Sequence, residues 1–314
     1  MDGILNFGGL SREMVEGIPA RFSVLPVPYD LTASYISGMR NGPRAIIEAS
    51  THMELYDEEL GCEFYEAGIE TLSSLEPTAL GPEEMIKKVR AAIEDILDRG
   101  TVPVILGGEH SVTLGMVQAL LKRHPEMSVL HLDAHADMRE TYQDTPFNHA
   151  CVARRIAELC PIVQVGIRSL CVEEADFLKS EAKAGRKAGT RISTYYASEV
   201  LKGISWDRVL KNLTDEICIT VDLDVFDPSI MPATGTPEPG GLGWYDVTGV
   251  LRKAISKRRV VGFDVVELCP LPGNIAPDFL AARLVYKMIG YIYKEGKPQG
   301  AGYARPGGLR KNAT

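Results

Sequence analysis

Along this chain, short apolar runs rich in β-branched residues alternate with longer stretches whose apolar positions recur at helical spacing. Apolar runs at 22–27, 102–106, 128–132, 162–167, 216–221 and 259–266 are bounded by Gly, Pro and Asp, as buried parallel strands are, and 191–194 looks like a further short strand. Helical spacing marks 43–52, 82–100, 111–123, 150–159, 172–184, 196–201, 205–212, 244–256 and 277–294. Pro43 and Pro82 stand at the starts of two of these helices, where a missing N–H costs nothing. Strand then helix, repeated about seven or eight times, predicts an α/β fold with a parallel sheet covered on both faces. No linker or internal repeat breaks the pattern. Residues 1–314 therefore read as a single domain, with 1–18 an arm that is a candidate contact with a neighbouring subunit.

Three strands end in polar clusters: Gly107-Gly-Glu-His110, Asp133-Ala-His-Ala-Asp137 and Asp222-Leu-Asp224. Ligands of open α/β sheets collect just beyond the carboxyl ends of strands. Three neighbouring strand ends would bring His110, Asp133, His135, Asp137, Asp222 and Asp224 together. Four carboxylates in one cleft repel one another unless multivalent cations sit among them. Imidazole and carboxylate without thiolate suit manganese, iron, zinc or magnesium. Six ligands exceed what one catalytic ion with an open position can use. Two ions sharing carboxylates, roughly 3.5–4 Å apart, fit better, and such a pair makes a nucleophile of water at neutral pH. The excess of carboxylate over histidine favours manganese and leaves zinc and iron open. A lone Asp-x-Asp is usually a solvated turn or a helix cap; three clusters at three strand ends overrule that reading.

Composition narrows the partners. The hydrophobic share of 45% is ordinary for a soluble domain with a large core. A net charge of −8 argues against nucleic acid and favours a cationic small molecule. No apolar run approaches the ~18 residues of a membrane span, and the N-terminus lacks a basic segment followed by an apolar one; a cytoplasmic location is the expectation. The six cysteines are scattered without Cys-x-x-Cys spacing and read as reduced thiols.

The strings Gly-Gly-Glu-His-Ser (107–111), Asp-Ala-His-Ala-Asp (133–137) and Asp-Leu-Asp-Val-Phe-Asp-Pro…Pro-Ala-Thr-Gly-Thr-Pro (222–237) resemble those of the ureohydrolase family, the arginases and agmatinases. The similarity runs from Asn41-Gly-Pro-Arg44 to Asp264-Val-Val-Glu267. The resemblance implies a three-layer αβα sandwich with a sheet of about eight strands, two manganese ions per subunit, and homo-oligomers (trimers or hexamers). It assigns His110, Asp133, Asp137 and Asp222 to one ion and Asp133, His135, Asp222 and Asp224 to the other. It makes Glu267 the acceptor of the guanidinium N–H groups, Asp137 and His149 the proton relay, with a His149 pKa near neutrality, and Thr236 a residue near the substrate. His131 reads as a core histidine, with a supporting role to the metal ligands as the alternative.

The reaction implied is hydrolysis of a guanidino group to urea and an amine. Arginases hold the amino-acid head of their substrate with Asn and Ser in the loop after the third metal aspartate. Here that loop is Met138-Arg-Glu-Thr-Tyr-Gln-Asp-Thr-Pro-Phe-Asn148, with Arg139 near the Asn position. This is more like agmatinases, so agmatine, cleaved to putrescine in polyamine biosynthesis, is the first expectation. Aminopropylagmatine, 4-guanidinobutyrate, arginine and formimidoylglutamate are the alternatives. Glu140 and Asp144 are candidates to meet a distal ammonium, and Arg139, if it points inward, an acidic tail. Two readings of other classes remain: an inactive subunit kept for binding, and a two-metal phosphoesterase. Against the first stand six intact ligands and Glu267; against the second, an incomplete Asn148-His149 signature.

Overall fold

The computed structural model describes residues 5–188 and 191–297. Residues 1–4, 189–190 and those after 297 lie outside the described residues. Among the described residues there are ten strands: β1 Phe22–Val27, β2 Tyr56–Asp57, β3 Cys62–Glu63, β4 Ile69–Thr71, β5 Val102–Gly107, β6 Ser128–Leu132, β7 Ile162–Ile167, β8 Ile192–Tyr196, β9 Glu216–Asp222 and β10 Arg259–Val266. Eight form one parallel sheet in the order β4-β1-β5-β10-β9-β6-β7-β8, and β2 and β3 make a small antiparallel hairpin. β5, β10, β9, β6 and β7 are buried along nearly their whole length, as a sheet covered on both faces demands.

Helices sort onto the two faces. Gly42–Ser50, Trp206–Leu210, Trp244–Lys257 and Ala276–Lys294 cover one, packing Ile46, Val250 and Tyr286 with Val104, Ile219 and Val265. Pro82–Asp98, Thr113–Leu121, Val152–Leu159 and Val172–Ala188 cover the other, packing Ile93, Met116 and Ile156 with Ile105 and Val129. The result is the expected αβα sandwich. Pro82–Asp98 shows how local sequence sets a boundary: proline opens it, Glu83 and Glu84 meet the positive end of the helix dipole, and Gly100 follows its end at φ +77°.

The arm is anchored on this chain at one point: Phe7 and Leu10 are buried in its core, and the Phe7 and Gly8 N–H groups bond Thr71 Oγ1 and Ser50 Oγ. One expectation changes, because the three site-bearing strands are not all adjacent. β10 is inserted between β5 and β9, and through it Glu267 reaches the middle of the cleft. Among the described residues no helix is long and apolar enough to cross a membrane, and all six cysteines are free thiols.

Candidate active site

The six candidate ligands converge beyond the carboxyl ends of β5, β9 and β6. His110 begins a short 3-10 turn directly after the Gly107-Gly108 bend. Gly108 is required there because a Cβ would lie 2.0 Å from the Tyr29 carbonyl oxygen of the loop after β1. His110 Nδ1 points into a nest of carboxylates, 3.1 Å from Asp133 Oδ2, 3.1 Å from Asp222 Oδ2 and 3.5 Å from Asp137 Oδ2. On the other side, His135 Nδ1 lies 2.9 Å from Asp224 Oδ2 and 3.7 Å from Asp133 Oδ1. Asp133 thus faces both groups. Backbone N–H groups aim the carboxylates: Ala134 donates to Asp224 Oδ1, His135 to Asp133 Oδ1, and Asp224 to Asp222 Oδ1. The Arg168 guanidinium fastens the turn beneath by donating to the Asp224, Phe226 and Glu238 carbonyls.

The charges of this cluster are not balanced from within. Burial, and then repulsion from neighbouring aspartates, pushes Asp137 and Asp222 well above the usual carboxylate range. Burial opposes a charge on His110 and His135, yet the surrounding carboxylates outweigh it and raise both imidazoles. Asp133 goes the other way, because His131, His110 and His135 outweigh its burial. Protons are drawn in where cations are wanted. His110 Nδ1 and Asp133 Oδ2 are also buried without a hydrogen-bond partner, an expensive arrangement unless something else coordinates them. The residues present fit divalent ions with oxygen and imidazole ligands.

A cavity of about 270 Å³ opens above the cluster, walled by His135, Asp137, Asp224, Glu267, His149 and Thr236. Asp137 and Glu267 are both in left-handed backbone conformation, φ +51° and +68°. Such strain in non-glycine residues persists where function holds it. Glu267 Oε1 accepts the His110 N–H at 2.6 Å, and its own N–H bonds the Gly108 carbonyl. Burial pushes its carboxyl up to about 8.

His149 follows Asn148, whose Oδ1 accepts the Ala150 N–H and so starts a short 3-10 turn. The loop after β1 grips the imidazole, with Thr32 Oγ1 3.2 Å from Nδ1 and Ser34 Oγ 3.3 Å from Nε2. Buried Glu109 holds that loop by accepting the Thr32 N–H and hydroxyl. Burial lowers His149 to about 4, well below the expected neutral range, so its ring is neutral.

Other expectations do not survive. Glu140 is drawn outward by Arg154 and Arg155, and exposed Asp144 forms part of the tight turn Tyr142–Thr145. Neither wall of the cavity uses them. A carboxylate outside the ligand cluster that does line it is Glu174, buried and accepting the Met138 and Cys171 N–H groups. Nothing in its helical surroundings marked it in the sequence. Arg139 lies on the cavity wall with its guanidinium 4.8 Å from the Tyr142 ring centre. His131 is fully buried, as a core histidine would be, and lies directly beneath the cluster with Nε2 2.8 Å from Asp133 Oδ2.

Residues 20–290 match the family model described as the arginase family. An N(1)-aminopropylagmatine ureohydrolase of Synechocystis is 38% identical over 277 residues, 85% of this chain and 88% of that one. An agmatinase of Pyrococcus horikoshii is 33% identical, over 86% of this chain and 92% of its own. The crystal structure of the agmatine ureohydrolase of Thermoplasma volcanium superposes with a TM-score of 0.75 at 32% identity, covering 88% of this chain and 90% of the other. The chain belongs to the arginase family, and it is a hydrolase of guanidino compounds.

Proposed function

We propose that this protein is a dinuclear manganese ureohydrolase that cleaves an amine-tailed guanidine, N1-aminopropylagmatine ahead of agmatine, to urea and the corresponding polyamine. The observation that carries the reading is the convergence of six ligand-type side chains, four of which line one cavity together with Glu267. Relatives named for aminopropylagmatine, at 35–39% identity, support moving that substrate ahead of the shorter one. In keeping with the family, the enzyme acts as a homo-oligomer.

His110, Asp133, Asp137 and Asp222 would hold one ion, and Asp133, His135, Asp222 and Asp224 the other. When bound, such a pair supplies a nucleophile from water at neutral pH. The chain's own residues supply the rest. Glu267, one oxygen fixed by the His110 N–H, accepts guanidinium N–H groups with the other in a charge-assisted bond. A bound cation also returns its raised carboxyl to the ionised form. Resonance makes the guanidinium carbon a poor electrophile, so orientation matters as much as charge. Water adds to that carbon, the C–N bond to the tail breaks, and the amine leaves with a proton passed by Asp137 and His149. Neutral His149, held between the Thr32 and Ser34 hydroxyls, has one unprotonated ring nitrogen that can take part in the relay. Thr236 closes the wall beside the guanidino group.

Urea release with manganese, measured on aminopropylagmatine, agmatine, arginine and 4-guanidinobutyrate, tests the reading. Turnover should be fastest on the aminopropyl compound. A preference for 4-guanidinobutyrate would assign Arg139 to a carboxylate tail instead, and turnover of none would end the proposal.

A further inference from the structure

A row of polar side chains crosses the otherwise apolar sheet directly under the cluster. Asp264 of β10, Thr220 of β9, His131 of β6, Gln164 of β7 and Thr194 of β8 are register partners, one to the next, on a single face. All but Thr194 are fully buried. Gln164 Nε2 lies 2.7 Å from the Ala136 carbonyl oxygen and 3.1 Å from His131 Nδ1, while its Oε1 accepts the Thr194 hydroxyl at 2.9 Å.

These contacts fix one tautomer. A backbone carbonyl cannot donate, so the Gln164 NH₂ group must face Ala136; the flipped amide would set two acceptors 2.7 Å apart. The second N–H of the same group then points at His131 Nδ1, which has to accept. The single ring proton of His131 is therefore on Nε2, the atom 2.8 Å from Asp133 Oδ2. That contact is short but out of line, and neither atom is satisfied by it. Hydrogen bonds of this kind commonly tighten only once a site is loaded.

His131 also lies within reach of the atoms that would surround an ion, together with His110, Asp133 and Asp137. We infer that Thr194 and Gln164 bar it from that role: they lock His131 as a positioning donor to Asp133 and keep its ring from ligating the metal. Rotation of the Asp133 carboxylate, which faces both ion positions, is then restrained from below. The inference rests on the dinuclear reading of the site, but the tautomer itself does not.

The test has two arms. Imidazole ¹⁵N spectra of the full-length protein, metal-free and then with manganese replaced by diamagnetic zinc, should show the His131 Nε2 protonated and Nδ1 bare in both. A deprotonated Nε2 in the zinc form would make His131 a ligand and overturn the inference. In manganese titrations, His131→Leu should bind about 10–100-fold more weakly, the usual cost of losing an outer-sphere partner. His131→Gln, which keeps a donor near the Nε2 position, should recover most of that loss. Equal impairment of both variants, or none in the Leu variant, would also overturn it. Absence of manganese binding by the unaltered protein would instead remove the functional reading, and the metal-free spectrum would still judge the tautomer.

Discussion

Asp57 and Asp222 are both aspartates withdrawn almost wholly from solvent, but their neighbourhoods differ in one respect. Around Asp57 the chain brings its own cations. Lys287 Nζ, on the last long helix, lies 2.8 Å from Asp57 Oδ2 and 2.8 Å from Glu59 Oε2. Tyr291 donates to Glu59, Arg252 bridges Glu59 and Glu295, and the Glu59 and Leu60 N–H groups occupy Asp57 Oδ1. Glu59 is consequently held below its usual range, its burial outweighed by Lys287, Tyr291 and Arg252. Among the described residues no Lys or Arg pairs with Asp222, and burial with Asp224 and Asp133 raises its carboxyl instead. One cluster is complete and ties the β2–β3 hairpin to a helix. The other is left short of positive charge, which marks it as a place where cations come from outside.

The sharpest way to break this contrast is Asp222→Asn. The amide keeps an acceptor for the Asp224 N–H but removes a charge proposed to be shared by both ions. Urea release should fall to background. The metal-free variant should nevertheless unfold no earlier than the parent, and later by on the order of 1 kcal/mol, since a repelled buried charge is gone. Lys287→Met should do the reverse. It leaves Asp57 buried and unpaired, at a cost of about 3–5 kcal/mol in urea denaturation, while the cleft geometry and metal titration stay as they were. Early unfolding of both variants would mean that the two clusters are alike.

Manganese itself should act on one cluster alone. At a hundredfold excess over its dissociation constant, a ligand of the folded state adds about 2.7 kcal/mol. EDTA should reverse this in the parent and in Lys287→Met, but there should be nothing to reverse once Asp133 is changed to Asn. A gain that survives in Asp133→Asn would place the ion elsewhere.

How far the pattern of residues foretold this is uneven, for physical reasons. Long apolar runs specify strands because a buried parallel strand tolerates little else, and every major strand was visible that way. β4, with three residues and only Ile69 buried, carried no such run. Spatial order was hidden too: nothing in the run 259–266 says that it wedges between two earlier strands. The candidate ligands were legible because they ended strands in a fixed register. Glu140 misled because a loop charge does not declare which way it faces, and Arg154 and Arg155 on the following helix took it. Gln164 and Thr220 were the overlooked signal. A polar residue in the middle of a fully buried strand has to be bonded to something, and here both are bonded toward the cleft.

The smallest expected effect is also the most discriminating, because the two clusters should respond to pH with opposite sign. Glu59 is depressed below its ordinary 4.5; its contribution is present above that value and is lost as the solution is acidified. The cleft behaves otherwise. Glu267, raised to about 8, keeps in the folded protein a proton that the unfolded chain has already released, so stability falls as pH climbs toward 8. His110 and His135, raised above 6.5, act in the same direction. His149, lowered to about 4, opposes them only up to its ordinary 6.5. The net decline of the metal-free protein should therefore be clearest between about pH 6.5 and 8. Divalent ions favour the ionised carboxylates and the neutral imidazoles, so loading with manganese should flatten that limb. Urea midpoints at several pH values, with EDTA and with manganese, give both limbs. An alkaline decline of equal size in the two series would mean that the charges responsible are not those of the cleft.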